Sequence, residues 1–174
     1  MKNITTIAAT LTMTVGANSC SRQHPLKDLD AQRSTVVTEP GIPWQLQFTV
    51  RTLDGTPFAG ASLYGRPAVL WFWAPDRPEA GKQAALIQAS AARNSDITFV
   101  GIACSRPRAV TEFDGQHQLT FTQIVDPAAT IAMRFGIAAQ PAYVFITVRA
   151  QITTVKKPLG QRDLRTRLIR LATD

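Results

Sequence analysis

Residues Ala68-Val69-Leu70-Trp71-Phe72-Trp73 form an unbroken apolar run whose second half is aromatic. The run is far too short for a membrane helix, which takes about 20 apolar residues. It also lacks the polar alternation of a strand with one wet face. It reads as a central strand buried on both sides, which requires a sheet covered on both faces. Ile97–Cys104 and Ala142–Val148 are further apolar strands. The segments between them have helical character. From Arg77 to Arg93 the stripe Ala80, Ala84, Ile87 and Ala91, helped by Leu86, repeats with helical spacing. A second helix is predicted over Pro107–Gln116, with Val110 and Phe113 inward.

The remaining elements follow from local signals. Gln45–Thr52 alternates, with Leu46, Phe48 and Val50 on one face, and Asp54-Gly55 then turns the chain into a short segment around Phe58. Phe121–Val125 is a short strand. Asp126 and Pro127 predict a helix start, as cap and first position, with Gly136 at its end. Gln151–Lys156 returns antiparallel to the strand before it. A last helix covers Gln161–Ala172, burying Leu164, Leu168 and Leu171 and holding Arg162, Arg165, Arg167 and Arg170 mostly outward. The order β-β-β-α-β-α-β-α-β-β-α predicts an α/β sheet with helices on both faces.

The N-terminus has a different character. Lys2, the mildly apolar stretch Ile4–Gly16 and the small residues Ala17-Asn18-Ser19 before Cys20 follow the order of a secretory signal. The expected organisation is a signal peptide over 1–19, a flexible tether over 20–43 and one domain over 44–174. The small residues before Cys20 resemble a bacterial lipobox, which implies acylation of Cys20 and anchoring on the outer face of the cell membrane; plain secretion is the other reading. The chain carries a formal charge of +7, but its blocks of like charge are short and no aromatic residues interleave with them, which argues against nucleic acid as a partner. The two cysteines, Cys20 and Cys104, and the two histidines, His24 and His117, are isolated. No metal site and no cofactor is expected from them.

Three segments, in one collinear order, carry a family resemblance: Leu46–Phe58 as an opening hairpin, Arg66–Pro75 as the strand that delivers the active site, and Gln140–Phe145 as a proline loop with the strand after it. Over roughly residues 45–172 the chain resembles the TlpA/DsbE-type redoxin branch of the thioredoxin superfamily and is similar to the secreted DsbE-like oxidoreductases of mycobacteria. The resemblance implies a thioredoxin-like fold, a central mixed sheet flanked by helices, with an N-terminal β-hairpin extension. It also implies a cis bond before Pro141 and a peptide-binding surface around Trp73, Arg77, Gln140 and Pro141.

Dithiol exchange in that family needs a thiolate at a helix N-terminus and a second cysteine three residues later. Here the segment reads Trp73-Ala74-Pro75-Asp76-Arg77-Pro78-Glu79-Ala80, so Arg77 and Ala80 occupy the two cysteine positions. Neither side chain can form a disulfide. Asp76 and Glu79 have the spacing of a capping box around an ordinary helix start, and the cation of Arg77 at that dipole end costs roughly 0.5 kcal/mol if exposed.

The remaining thiol of the domain, Cys104, ends a strand at the sheet edge where α/β sites gather, followed by Arg106 and Arg108, whose charges favour a thiolate. Three functional readings result. The first is a redox-inactive pseudoenzyme that binds a protein or peptide at the cell envelope. The second is a single-cysteine thiol oxidoreductase or antioxidant protein using Cys104. The third is a basic module whose C-terminal arginines meet anionic lipid or polymer.

Overall fold

The computed structural model describes residues 41–173. The export signal over 1–19, Cys20 and the tether as far as residue 40 lie outside the described residues. The element order matches the one predicted. A short 3-10 helix at Trp44–Leu46 leads into the hairpin β1 (Thr49–Arg51) and β2 (Pro57–Ala59). Then come β3 (Ala68–Trp73), α1 (Ala80–Arg93), β4 (Thr98–Ala103), α2 (Pro107–His117) and β5 (Thr122–Val125). The chain finishes with α3 (Thr130–Arg134), β6 (Ala142–Ile146), β7 (Ile152–Val155) and α4 (Gln161–Thr173).

The main sheet has the order β5-β4-β3-β6-β7. β3 runs parallel to β4, and β4 to β5, whereas β6 is antiparallel to both β3 and β7. The two parallel crossovers step in the same direction, so right-handed connections place α1 and α2 on one face. The core records this. Val69, Trp71 and Trp73 pack with residues of α1, α2 and α4, while Ala68, Leu70 and Phe72 pack with α3, Leu46 and Leu63. Every residue of β3 is at most 1% exposed, as a strand covered on both faces must be.

The first strand is shorter than its alternation suggested. Trp44–Leu46 closes into a 3-10 turn, with Leu46 N–H donating to Pro43 O at 2.9 Å. The turn sinks Leu46 completely, while Phe48, Val50 and Phe58 pack against the same core cluster. The hairpin is pinned to the sheet edge by Leu53 N–H donating to Gln123 O at 2.7 Å. Gly60 is needed beside it, because a Cβ there would lie 2.6 Å from the carbonyl oxygen of Leu46.

Two helix starts also differ from expectation. α3 begins at Thr130, not Pro127. Asp126 still caps it, but from outside: its carboxylate accepts from the N–H groups of Thr130 at 2.8 Å, Ile131 at 2.9 Å and Ala132 at 3.0 Å. Ala129, with φ +55°, makes the bend that lets one carboxylate reach all three. The far end behaves as predicted. Gly136 has φ +64°, its N–H reaches Met133 O at 3.0 Å and Ile137 N–H reaches Ala132 O at 3.0 Å, a Schellman closure. β6 stops at Ile146, and Val148, expected inside the strand, stands exposed in the turn before β7.

Candidate functional site

β3 delivers Trp73 to the end of the sheet, and the chain then makes two tight turns before α1. Arg77 N–H donates to Ala74 O at 3.2 Å, and Ala80 N–H donates to Arg77 O at 3.0 Å. α1 therefore starts at Ala80, three residues later than its composition suggested. The capping box is not formed: Glu79 is the N-cap, in helical conformation, with no side-chain capping bond. Pro78 removes one backbone donor within this stretch, and the turn at 77–80 replaces the first turn of a regular helix. Asp76, Arg77, Pro78 and Glu79 are all exposed, whereas Ala80 is 5% exposed.

Four of the residues singled out in the sequence meet here. Trp73, Arg77, Ala80 and Pro141 line one shallow depression with Trp71, Ala74 and Gln83. Its volume is about 10 Å³, at the lower limit for a single water. It is too small to admit a side chain. The Gln140–Pro141 bond is cis, as the resemblance implied, and both residues are half-buried. They lie just past the pairing of β6 with β3, which ends at Ala142 opposite Phe72.

The floor is rigid and aromatic. Trp71 and Trp73 stack with ring centres 5.1 Å apart, Trp73 meets Phe113 at 4.5 Å, and Phe113 meets His117 at 4.1 Å. Beneath lies a polar link that the residue pattern did not reveal. The buried Tyr143 hydroxyl donates to Gln83 Oε1, and Gln83 Nε2 donates to Leu159 O at 3.3 Å. Burial pushes the Tyr143 phenol well above its ordinary range, so it remains a donor. The available signal was Gln83 itself, a polar residue set among the buried stripe Ala80, Ala84 and Ile87. A glutamine at such a position needs a partner.

Cys104 does not line the depression. Its N–H donates to Trp73 O at 2.9 Å, and its side chain is hydrogen-bonded to Gln140, the residue before the cis proline. It is half-buried and, among the described residues, has no disulfide partner. The expectation that Arg106 and Arg108 would favour a thiolate is overturned: both are exposed, and Arg108 is engaged with Glu112 at 2.9 Å. Burial first, and the Asp126 carboxylate second, push the Cys104 thiol up to about 11, with the Gln140 hydrogen bond opposing them. At pH 7 the thiolate fraction is then roughly 1 in 10⁴. Iodoacetamide labelling of Cys104, followed by mass spectrometry, is expected to be slow at pH 7 and to keep accelerating beyond pH 10. A rate that levels off near pH 8.5 would show an ordinary accessible thiol. Among the described residues, no group of three His, Cys, Asp or Glu side chains is placed to hold a metal, and no helix is long and apolar enough to cross a membrane.

Residues 45–155 match the AhpC/TSA family. The chain belongs to that family. As an AhpC/TSA member it is 40% identical over 133 residues to the soluble secreted antigen MPT53 of Mycobacterium tuberculosis, an overlap of 74% of this chain and 77% of the relative. Its fold superposes on MTB dsbF with a TM-score of 0.73 and 39% identity, covering 75% of this chain and 98% of that one. A secreted Mycobacterium tuberculosis disulfide oxidoreductase homologous to E. coli DsbE matches with a TM-score of 0.69 and 40% identity, over 73% of this chain and 98% of the other. These matches place the chain in the thioredoxin superfamily, among DsbE-like redoxins, and the mixed five-stranded sheet with its N-terminal hairpin is the fold that the resemblance implied.

Proposed function

We propose that this protein is an extracytoplasmic, redox-inactive member of its family that binds an extended segment of a protein partner at the cell envelope. The observation that carries the reading is the pair Arg77 and Ala80 at the positions where dithiol relatives need cysteine. The scaffold around them is complete: an aromatic floor under Trp73, the Pro141 loop beside it, and an exposed guanidinium on top. A shallow surface with one cation suits a peptide lying across it and offering a carboxylate or carbonyl oxygen to Arg77. The N-terminal signal pattern and the description of MPT53 as secreted support export. In this reading acylation of Cys20 would hold the domain at the membrane.

The alternative, a one-thiol oxidoreductase using Cys104, is opposed by burial and by the neighbouring Asp126 carboxylate, which keep the thiol protonated and therefore a poor nucleophile. The deciding experiment has two readouts. In an insulin-reduction assay with dithiothreitol, the native protein is expected to give no rate above the buffer. On an array of extended peptides it is expected to select acidic sequences, and Arg77→Glu is expected to lose that selection by at least tenfold. Reduction at the rate of a CxxC relative would overturn the redox-inactive reading, and peptide selection indifferent to Arg77→Glu would overturn the binding reading.

A further inference from the structure

A second feature lies along α1, from Ala85, five residues into the helix, to its C-terminal end, and shares no lining residue with the Arg77 surface. There α1 and α4 splay to leave a groove of about 630 Å³. Its lining mixes apolar side chains, Leu86 and Ala89 of α1 and Leu168 and Ile169 of α4, with polar ones that include Arg93 and Arg165. No acidic side chain lines it. Among the described residues neither arginine has a carboxylate within 4 Å; the ion pair that does form, Arg108 with Glu112, lies on α2.

The groove combines an exposed apolar side chain with two cations. Ile169 is 57% exposed on a helix whose other outward positions are polar or small. Leu164, Leu168 and Leu171 already face the core, so Ile169 is apolar surface beyond what the fold requires. Among the described residues neither of the two guanidinium groups that line the groove with it forms an ion pair. A groove lined by apolar side chains and two arginines, with no acidic residue, is complementary to a molecule that is apolar along its length and anionic at its head.

We propose that the α1–α4 groove binds a single-chain anionic amphiphile, an acyl chain with a phosphate or carboxylate head. The chain lies along Leu86, Ala89, Leu168 and Ile169, and the head is held between Arg93 and Arg165. The groove is distinct from the peptide surface, with no lining residue in common.

Isothermal titration calorimetry of the full chain with dodecyl phosphate, kept below its micelle-forming concentration, tests this. Inorganic phosphate and dodecyl maltoside serve as the two half-ligands. Expected is one saturable site for dodecyl phosphate, at least tenfold tighter than either half-ligand. Arg93→Glu with Arg165→Glu is expected to weaken it at least tenfold, and Ile169→Gln at least threefold. A control reversal of two exposed cations elsewhere, Arg66→Glu with Arg149→Glu, is expected to change it less than twofold. The N-terminal segment is common to all variants, so the differences report the groove, and unfolding temperatures confirm that each variant is folded. No saturable binding, equal losses in both double variants, or binding to phosphatidylglycerol vesicles without binding to dodecyl phosphate would each overturn the proposal.

Discussion

Arg77→Cys combined with Ala80→Cys is expected to create a working dithiol, raising insulin reduction at least tenfold above the native background. The geometry is already in place. Ala80 N–H donates to Arg77 O at 3.0 Å, closing a turn between the two positions. Such a turn keeps its end Cα atoms within about 7 Å, and disulfides span Cα separations of about 4.4–6.8 Å. The two sites also differ in the right sense. Position 77 is exposed and open to attack on a substrate disulfide, while position 80, at 5% exposure, shelters the resolving thiol. Ala80 N–H is taken by Arg77 O, but the next N–H groups of the first turn of α1 have no side-chain cap and can favour a thiolate nearby. Arg77→Cys alone should form mixed disulfides without turning over. The measurement is the insulin rate together with thiol titration of oxidised and reduced protein. A folded double variant that never forms a disulfide between positions 77 and 80 on oxidation would show that the turn has drifted from the geometry of dithiol relatives.

The second large effect concerns Asp126. Its buried carboxylate, 5% exposed, accepts three backbone N–H bonds at the start of α3. Asp126→Ala leaves those donors without a partner, two of them in buried residues. Cap loss and unpaired buried donors together predict a cost of about 3 kcal/mol, or roughly 10 °C in unfolding temperature for a domain of this size. The same substitution removes the charge that helps raise the Cys104 thiol. The thiol should therefore titrate below 11, yet still above the ordinary thiol value of about 8.5, because burial is the larger cause and remains. Asp126→Asn removes the charge but keeps one acceptor, so it should shift the thiol with less loss of stability. Denaturant unfolding and the pH profile of alkylation read the two effects separately. A thiol unchanged by either variant would mean that Asp126 does not act on Cys104.

Much of this was legible in the residues. The run Ala68–Trp73 specified a doubly covered strand, the apolar stripes specified the inward faces of α1, α2 and α4, and Gly136 marked a helix end that closes as a Schellman motif. These are local matters, governed by periodicity and by which residues tolerate positive φ. The missing dithiol was legible for a similar reason, since it is a statement about two residue types at one spacing. The start of α1 was not. Asp76 and Glu79 have capping-box spacing, but the two turns imposed between Trp73 and Ala80 take those positions out of the helix. Pro127 was misplaced in the same way: Asp126 reaches the α3 donors from a bend at Ala129, a conformation that an alanine does not advertise.

The sequence by itself determined the order of strands and helices, the central place of β3 and the absence of cysteine at positions 77 and 80. Tertiary structure alone decided what surrounds Cys104. In the chain its near neighbours are arginines, and in the fold they are Gln140 and Asp126, with partial burial added. The protonation of a thiol responds to charge and solvent through space, so the contacts that set it come from segments more than 20 residues away. The same holds for the α1–α4 groove, whose two walls are distant in the chain and acquire a shared shape and charge only when the helices settle against the sheet.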